Sequence, residues 1–246
     1  MNSRPLLLAL ACAGLQPLSA LAAATVLIWP IDPWLPANKS AAELWVENRG
    51  SAVATMQVRI VRWQQENGFE RYSAQQDVVA SPPMLSLGAG GRQMIRLIKQ
   101  SSVPAGKEYA YRIIIDEIPA ADAPQAGLKL QMRYSVPLFA YGEGVALNES
   151  GASHAQAEVH NLSWRVTRSG GRPALEVENR GNVHLRLSQV TVRESGAPRA
   201  VADGLLGYVL PGQARRWPLP AGITHPRSMT ATINAQDAIW QSQAAN

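Results

Sequence analysis

The chain contains a single cysteine, Cys12, and only four histidines. A lone thiol cannot close an intrachain disulfide or build a thiolate metal site. His154, His160, His184 and His225 stand apart, without the spacing of a metal-ligand set. No apolar run of membrane-spanning length follows the first 24 residues, so no integral membrane segment is expected. Clusters of basic residues are missing as well. Only Arg215 and Arg216 are adjacent, which is not the charged footprint of a nucleic-acid binder. There is no Gly-x-Ser-x-Gly nucleophile elbow and no His-Glu-x-x-His zinc motif. The one glycine-rich stretch, residues 88–91, sits between strand patterns, whereas a phosphate loop must open a helix. Asp116 and Glu117 form the only adjacent acidic pair, and neighbours on a strand point to opposite faces. These absences imply no cofactor, no metal and no active site.

The chain that remains is ordinary in composition: 246 residues, 46% hydrophobic and 17% charged, which suits one or two globular domains. Arg4 precedes an apolar run from Leu6 to Ala23 that ends in small residues, the pattern of a cleaved secretory signal over residues 1–24. Cys12 leaves with it. The exported chain of about 222 residues then carries 22 basic against 18 acidic residues, a net charge of +4.

Short alternating segments bounded by Gly and Pro dominate that chain: residues 42–48, 58–63, 94–98 and 109–115. None keeps a long 3.6-residue stripe, so an all-β architecture is expected, built as β-sandwiches. Val46-Glu47-Asn48-Arg49-Gly50 recurs identically at Val177-Glu178-Asn179-Arg180-Gly181, and Leu87–Arg92 is echoed by Leu210–Arg215. A period near 130 residues reads as two copies of one sandwich. The expected division is an N-terminal domain at 25–141, a linker region at 142–153 rich in Gly, Asn and Ser, and a C-terminal domain at 154–246.

Residues 128–136 alternate without error, with Leu128, Leu130, Met132, Tyr134 and Val136 on one face and polar or basic residues on the other. Two readings stay open: an ordinary strand with one face in its own core, or an exposed edge strand presenting apolar side chains to a partner. Long apolar edges are hazards that proteins usually blunt. The seven tryptophans are scattered, which fits core packing or a sugar-stacking platform.

The sequence resembles the periplasmic chaperones of the chaperone–usher pathway, which assemble pili and fimbriae in Gram-negative bacteria. The resemblance rests on Asn48, Ser81-Pro82-Pro83, Leu87-x-x-Gly90-Gly91-x-x-Met94-Ile95-Arg96-Leu97, Glu108-Tyr109, Glu117-Ile118-Pro119 and the alternating strand ending Pro137-Leu138-Phe139. Trp29-Pro30-Ile31-Asp32-Pro33 and Tyr134–Phe139 are most similar to the archaic branch. It implies two immunoglobulin-like sandwiches in an L or boomerang, with a periplasmic location. The chaperone would lend an edge strand to a pilus subunit that lacks its own last strand. Leu128, Leu130, Met132 and Tyr134 would be the inserted side chains, and the partners would be pilus subunits and an outer-membrane usher. Free chaperone could also self-associate through that edge.

The family's two basic anchors for the subunit carboxylate are replaced, since their positions match Ile31 and Pro137. Arg112 and Arg133 are the substitute candidates, unless the archaic branch anchors differently. Pro82, Pro83 and Ile118 match a patch that meets the usher, and Glu108 matches a buried acid that fixes the angle between domains. The position expected to hold its basic partner is Ala140. The alternative function is a tandem immunoglobulin-like secreted binding module, an adhesin or carbohydrate binder. A glycosidase carried on a sandwich stands third.

Overall fold

The computed structural model describes residues 26–119, 131–145, 161–234 and 239–243. All regular elements among them are strands. The first ten are β1 (Val26–Trp29), β2 (Trp34–Leu35), β3 (Ala41–Asn48), β4 (Ala54–Glu66), β5 (Phe69–Ser73), β6 (Val78–Ser81), β7 (Met84–Leu87), β8 (Arg92–Lys99), β9 (Glu108–Ile118) and β10 (Arg133–Tyr141). They form one sheet in the order β1-β3-β8-β6. They form a second in the order β2-β10-β9-β4-β5, with β7 also paired to β4.

The next seven are β11 (Leu162–Ser169), β12 (Arg172–Asn179), β13 (Leu185–Arg193), β14 (Arg199–Val209), β15 (Gln213–Pro218), β16 (Ser228–Ile233) and β17 (Ile239–Gln243). They make the sheets β11-β12-β15 and β14-β13-β16-β17. Two sandwiches result, each closed on its own apolar core.

Alternation decides what faces each core. On β3, Leu44, Val46 and Asn48 are buried while Glu43 is exposed. On β9, Tyr111, Ile113 and Ile115 enter the first core, and β-branched side chains suit that pleated position. The repeated pentapeptide has one structural job in both sandwiches. Asn48 ends β3 with its side-chain amide donating to the Ala52, Leu87 and Gly88 carbonyls at 2.7, 2.9 and 3.2 Å, and its Oδ1 accepts from Gly50 N at 2.9 Å. Asn179 ends β12 and donates to the Val183 and Val209 carbonyls at 2.8 and 3.0 Å, accepting from Gly181 N at 2.8 Å. Leu87 and Val209 belong to the opposite sheets, so each asparagine latches its sandwich shut where the chain has no disulfide.

β10 serves two cores through its two faces. Val136, Leu138 and Ala140 pack into the first sandwich. Phe139 and Tyr141 point the other way and join Trp63, Ala110, Val183, Tyr208 and Leu210 in a third apolar cluster where the sandwiches meet. Polar contacts surround that cluster. The fully buried Gln65 side chain donates to Tyr208 O at 2.8 Å and accepts from Leu210 N at 2.9 Å. The β4–β5 hairpin turns at Asn67 and Gly68, both with positive φ, as a type I′ two-residue turn requires. Its tip reaches β15, where Gly68 O accepts from Arg216 N and from the Arg215 guanidinium. A Cβ at Gly68 would lie 2.7 Å from Arg216 Cγ, so glycine is needed there for contact as well as for φ.

Candidate functional site

Residues 131–136 of the alternating segment lead into and begin β10. β10 pairs with β9 over its whole length, from Arg133 opposite Asp116 to Tyr141 opposite Glu108. On its other side β2 covers only Phe139 and Ala140. From residue 133 to 138, therefore, one edge of β10 has no strand beside it among the described residues. A groove of about 430 Å³ opens there, walled by Val26, Ile28 and Ile31 on one side and Arg133–Val136 on the other.

Leu128 and Leu130 lie outside the described residues. Met132 is 39% exposed, and its carbonyl accepts from Glu117 N at 3.0 Å, extending the β9 pairing beyond the end of β10. Tyr134 is half-buried against the first core, and Val136 is buried within it. The even-numbered row thus leaves the interior stepwise, from covered Val136 through Tyr134 to exposed Met132.

The two candidate arginines differ sharply. Arg133 is exposed and paired to Asp116, which also takes Arg59 at 2.6 Å. Burial pulls the Asp116 carboxyl upward, but hydrogen bonds from Arg133 and Arg59 outweigh it and hold the group below its ordinary value. Arg112 stands opposite Pro137 on the face turned toward the second sandwich. Its guanidinium lies 3.8 Å over the Trp63 ring and 5.5 Å from the Tyr208 ring. Its Nε is buried with no hydrogen-bond partner. Burial lowers its proton affinity, partly offset by Tyr72, Glu70 and Tyr208, yet a guanidinium stays charged at any physiological pH.

Arg112 lines a cleft of about 610 Å³ between the sandwiches, with Ile31, Trp34, Pro137, Phe139, Leu205 and Tyr208 supplying much of its wall. Arg215 and Glu70 in the same cleft are committed to each other at 2.9 Å.

Glu108 also sits at the junction. Its buried carboxylate accepts from His184 N at 3.1 and 3.2 Å and meets His184 Nδ1 at 2.8 Å. The imidazole stacks on Phe139 at 3.5 Å. The partner that the sequence left unplaced is therefore a histidine from the second sandwich, 76 residues downstream. Gln65, Glu70 and Arg215 are further junction residues missed by sequence reasoning. A glutamine inside an alternating strand gives no local sign that it spans two domains.

The remaining candidates flank one stretch of β4. Pro83 O accepts from Val58 N at 2.8 Å, and Ile118 lies opposite Thr55 across the β4–β9 pair. Pro82 and Ile118 are half-buried, and Pro83 is exposed beside exposed Met84. Among the described residues no group of three potential ligands could hold a metal, and no helix is long and apolar enough to cross a membrane.

Residues 34–145 match the family described as pili and flagellar-assembly chaperone, PapD N-terminal domain. The chain is 32% identical to a chain of the CsuC–CsuE chaperone–tip adhesion subunit pre-assembly complex from the archaic chaperone–usher Csu pili of Acinetobacter baumannii. That match has a TM-score of 0.70 and covers 90% of this chain and 98% of that one. It is 19% identical, with a TM-score of 0.65, to a chain of the Salmonella enterica SafA pilin–SafB chaperone complex, covering 91% and 98%. The E. coli chaperone DraB matches at 17% identity and a TM-score of 0.62, covering 89% and 97%. No curated protein sequence matches the chain.

Proposed function

The chain belongs to the pilus-assembly chaperones of the chaperone–usher type, and from that premise we propose that it holds pilus subunits in the periplasm by lending them residues 128–134 as a strand. The observation that carries this is the unpaired edge of β10. An edge with free N–H and C=O groups is a template for another chain's strand, and here it adjoins a groove. Apolar side chains already step out of the core along it. Leu128 and Leu130 continue the row in sequence. A subunit whose own sandwich lacks a strand would extend the first core outward across that edge.

Each inserted side chain contributes about 1.5–3 kcal/mol before ordering and desolvation costs. A one-residue slip would turn the whole row to the wrong face, so strict alternation sets the register. Arg112 is the better placed anchor for the subunit's terminal carboxylate, because it lines the cleft with no acidic ion-pair partner among the described residues, while Arg133 is already paired to Asp116.

Export with cleavage after residue 24 accounts for the basic and apolar start of the chain. Pro82, Pro83 and Ile118 form the proposed contact with the outer-membrane usher. The same β10 edge is the proposed route of self-association when no client is present. No catalytic role is proposed.

The test is co-purification from periplasm with a candidate pilus subunit, comparing wild type with Leu130→Asp/Met132→Asp. Wild type is expected to retain the subunit in a one-to-one complex. The double variant, folded by circular dichroism, is expected to lose it, because two carboxylates cannot be buried unpaired in an apolar groove. Equal retention by both would remove the lent strand and bring the binding-module reading forward.

A further inference from the structure

The cleft holding Arg112 is larger and more apolar than a carboxylate needs. Its volume, about 610 Å³, falls in the range of sites that enclose whole side chains or small molecules, ~300–1,000 Å³. A carboxylate would pair with the Arg112 guanidinium through only a few atoms. It would leave the lips of the cleft in water: Ile31 from the first sandwich is 73% exposed and Leu205 from the second is 50% exposed. Between them lie Trp34, Phe139 and Tyr208. Of the charges lining the cleft, Glu70 is spent on Arg215 and Asp32 lies exposed beside Ile31, which leaves Arg112 and Arg186, neither with an acidic partner among the described residues, to face the client's carboxylate.

We infer that the cleft selects clients by the side chain of their last residue, taking a large apolar or aromatic group between Ile31 and Leu205 while Arg112 holds the carboxylate. This rests on the reading that the cleft receives the client's carboxyl end. It goes further in giving the second sandwich, through Leu205 and Tyr208, a direct part in client choice. The apolar wall gains contact only with a large side chain, and differences of that kind in apolar pockets amount to tenfold or more.

The experiment uses the purified exported chain and fluorescent tetrapeptides Gly-Gly-Ser-Phe and Gly-Gly-Ser-Ala, each as free acid and as amide, followed by anisotropy. The phenylalanine acid is expected to bind at least about tenfold more tightly than the alanine acid. Leu205→Ser, at a half-exposed position that tolerates a small polar group, is expected to abolish that preference while the acid-over-amide preference remains. Ile31→Ser should act the same way.

If acids beat amides but phenylalanine and alanine bind alike, the side-chain inference is wrong and the carboxylate anchor stands. If acid and amide bind alike, the anchor fails and the inference with it. A phenylalanine preference indifferent to both Leu205→Ser and Ile31→Ser, or no binding of the phenylalanine acid at about 1 mM, also overturns it.

Discussion

Replacing Asn48 or Asn179 by alanine is expected to destabilise its sandwich by about 2–4 kcal/mol, a large share of the roughly 5–15 kcal/mol that holds a domain folded. Both side chains are fully buried. Without Asn48, the buried Leu87 carbonyl loses this donor, and the Gly50 N–H and Ala52 carbonyl lose theirs at the part-buried rim. Without Asn179, the buried Val183 and Val209 carbonyls lose this donor, and the part-buried Gly181 N–H loses its acceptor. A buried group left unpaired costs more than a hydrogen bond normally contributes, about 1–3 kcal/mol each. Asn→Asp should be at least as damaging, since it turns the donor into a carboxylate facing carbonyl oxygens. Urea unfolding followed by tryptophan fluorescence measures the loss. A change below about 1 kcal/mol for either alanine variant would show that the latch is dispensable.

The second large effect is expected at the junction. Glu108→Ala removes the carboxylate that meets the His184 N–H and ring Nδ1, in a site closed over by Phe139. His184→Ala takes away the ring Nδ1 contact and the Phe139 stack but leaves the backbone N–H of residue 184 on the fully buried carboxylate. A buried polar group left without a partner costs about 1–3 kcal/mol. Glu108→Ala, which strands both that N–H and the ring Nδ1, should therefore be the worse of the two.

The loss should appear as domain uncoupling as well as lower stability. Small-angle scattering of either variant should show a broader range of separations between sandwiches, with strand content by circular dichroism unchanged. A double-mutant cycle using Glu108→Gln and His184→Asn should give a coupling of at least about 1 kcal/mol. Additive effects would mean that Gln65 and the Gly68 hairpin tip hold the junction without this pair.

What could be read in advance followed the range of the interaction that decides it. The sandwiches were legible because alternation is local: Leu44, Val46, Ile113 and Ile115 announce a buried face within a few residues. The repeat was legible too, since the same pentapeptide places the same asparagine at the end of a strand in each half. The partner of Glu108 was not. It depends on how β9 and the segment before β13 meet across two domains, and nothing near Val183-His184 marks it.

Arg112 and Arg133 looked equivalent as strand arginines and separate only through register. Arg133 falls opposite Asp116, whereas Arg112 falls opposite Pro137 on the face turned to the cleft. The groove beside β10 needed the topology, because only sheet order reveals that β2 stops at residues 139 and 140.

The lent strand is most directly probed by single-cysteine scanning, which the chain's scarcity of thiols allows: Cys12 is the only one, and a chain beginning at residue 25 has none. Cysteines placed singly from 128 to 134 would be treated with a maleimide, with and without a bound pilus subunit. If the strand is lent, the subunit protects positions 128, 130, 132 and 134, while 129, 131 and 133 stay reactive, because successive side chains on a strand face opposite sides. Uniform protection, or none, would contradict an inserted strand in fixed register.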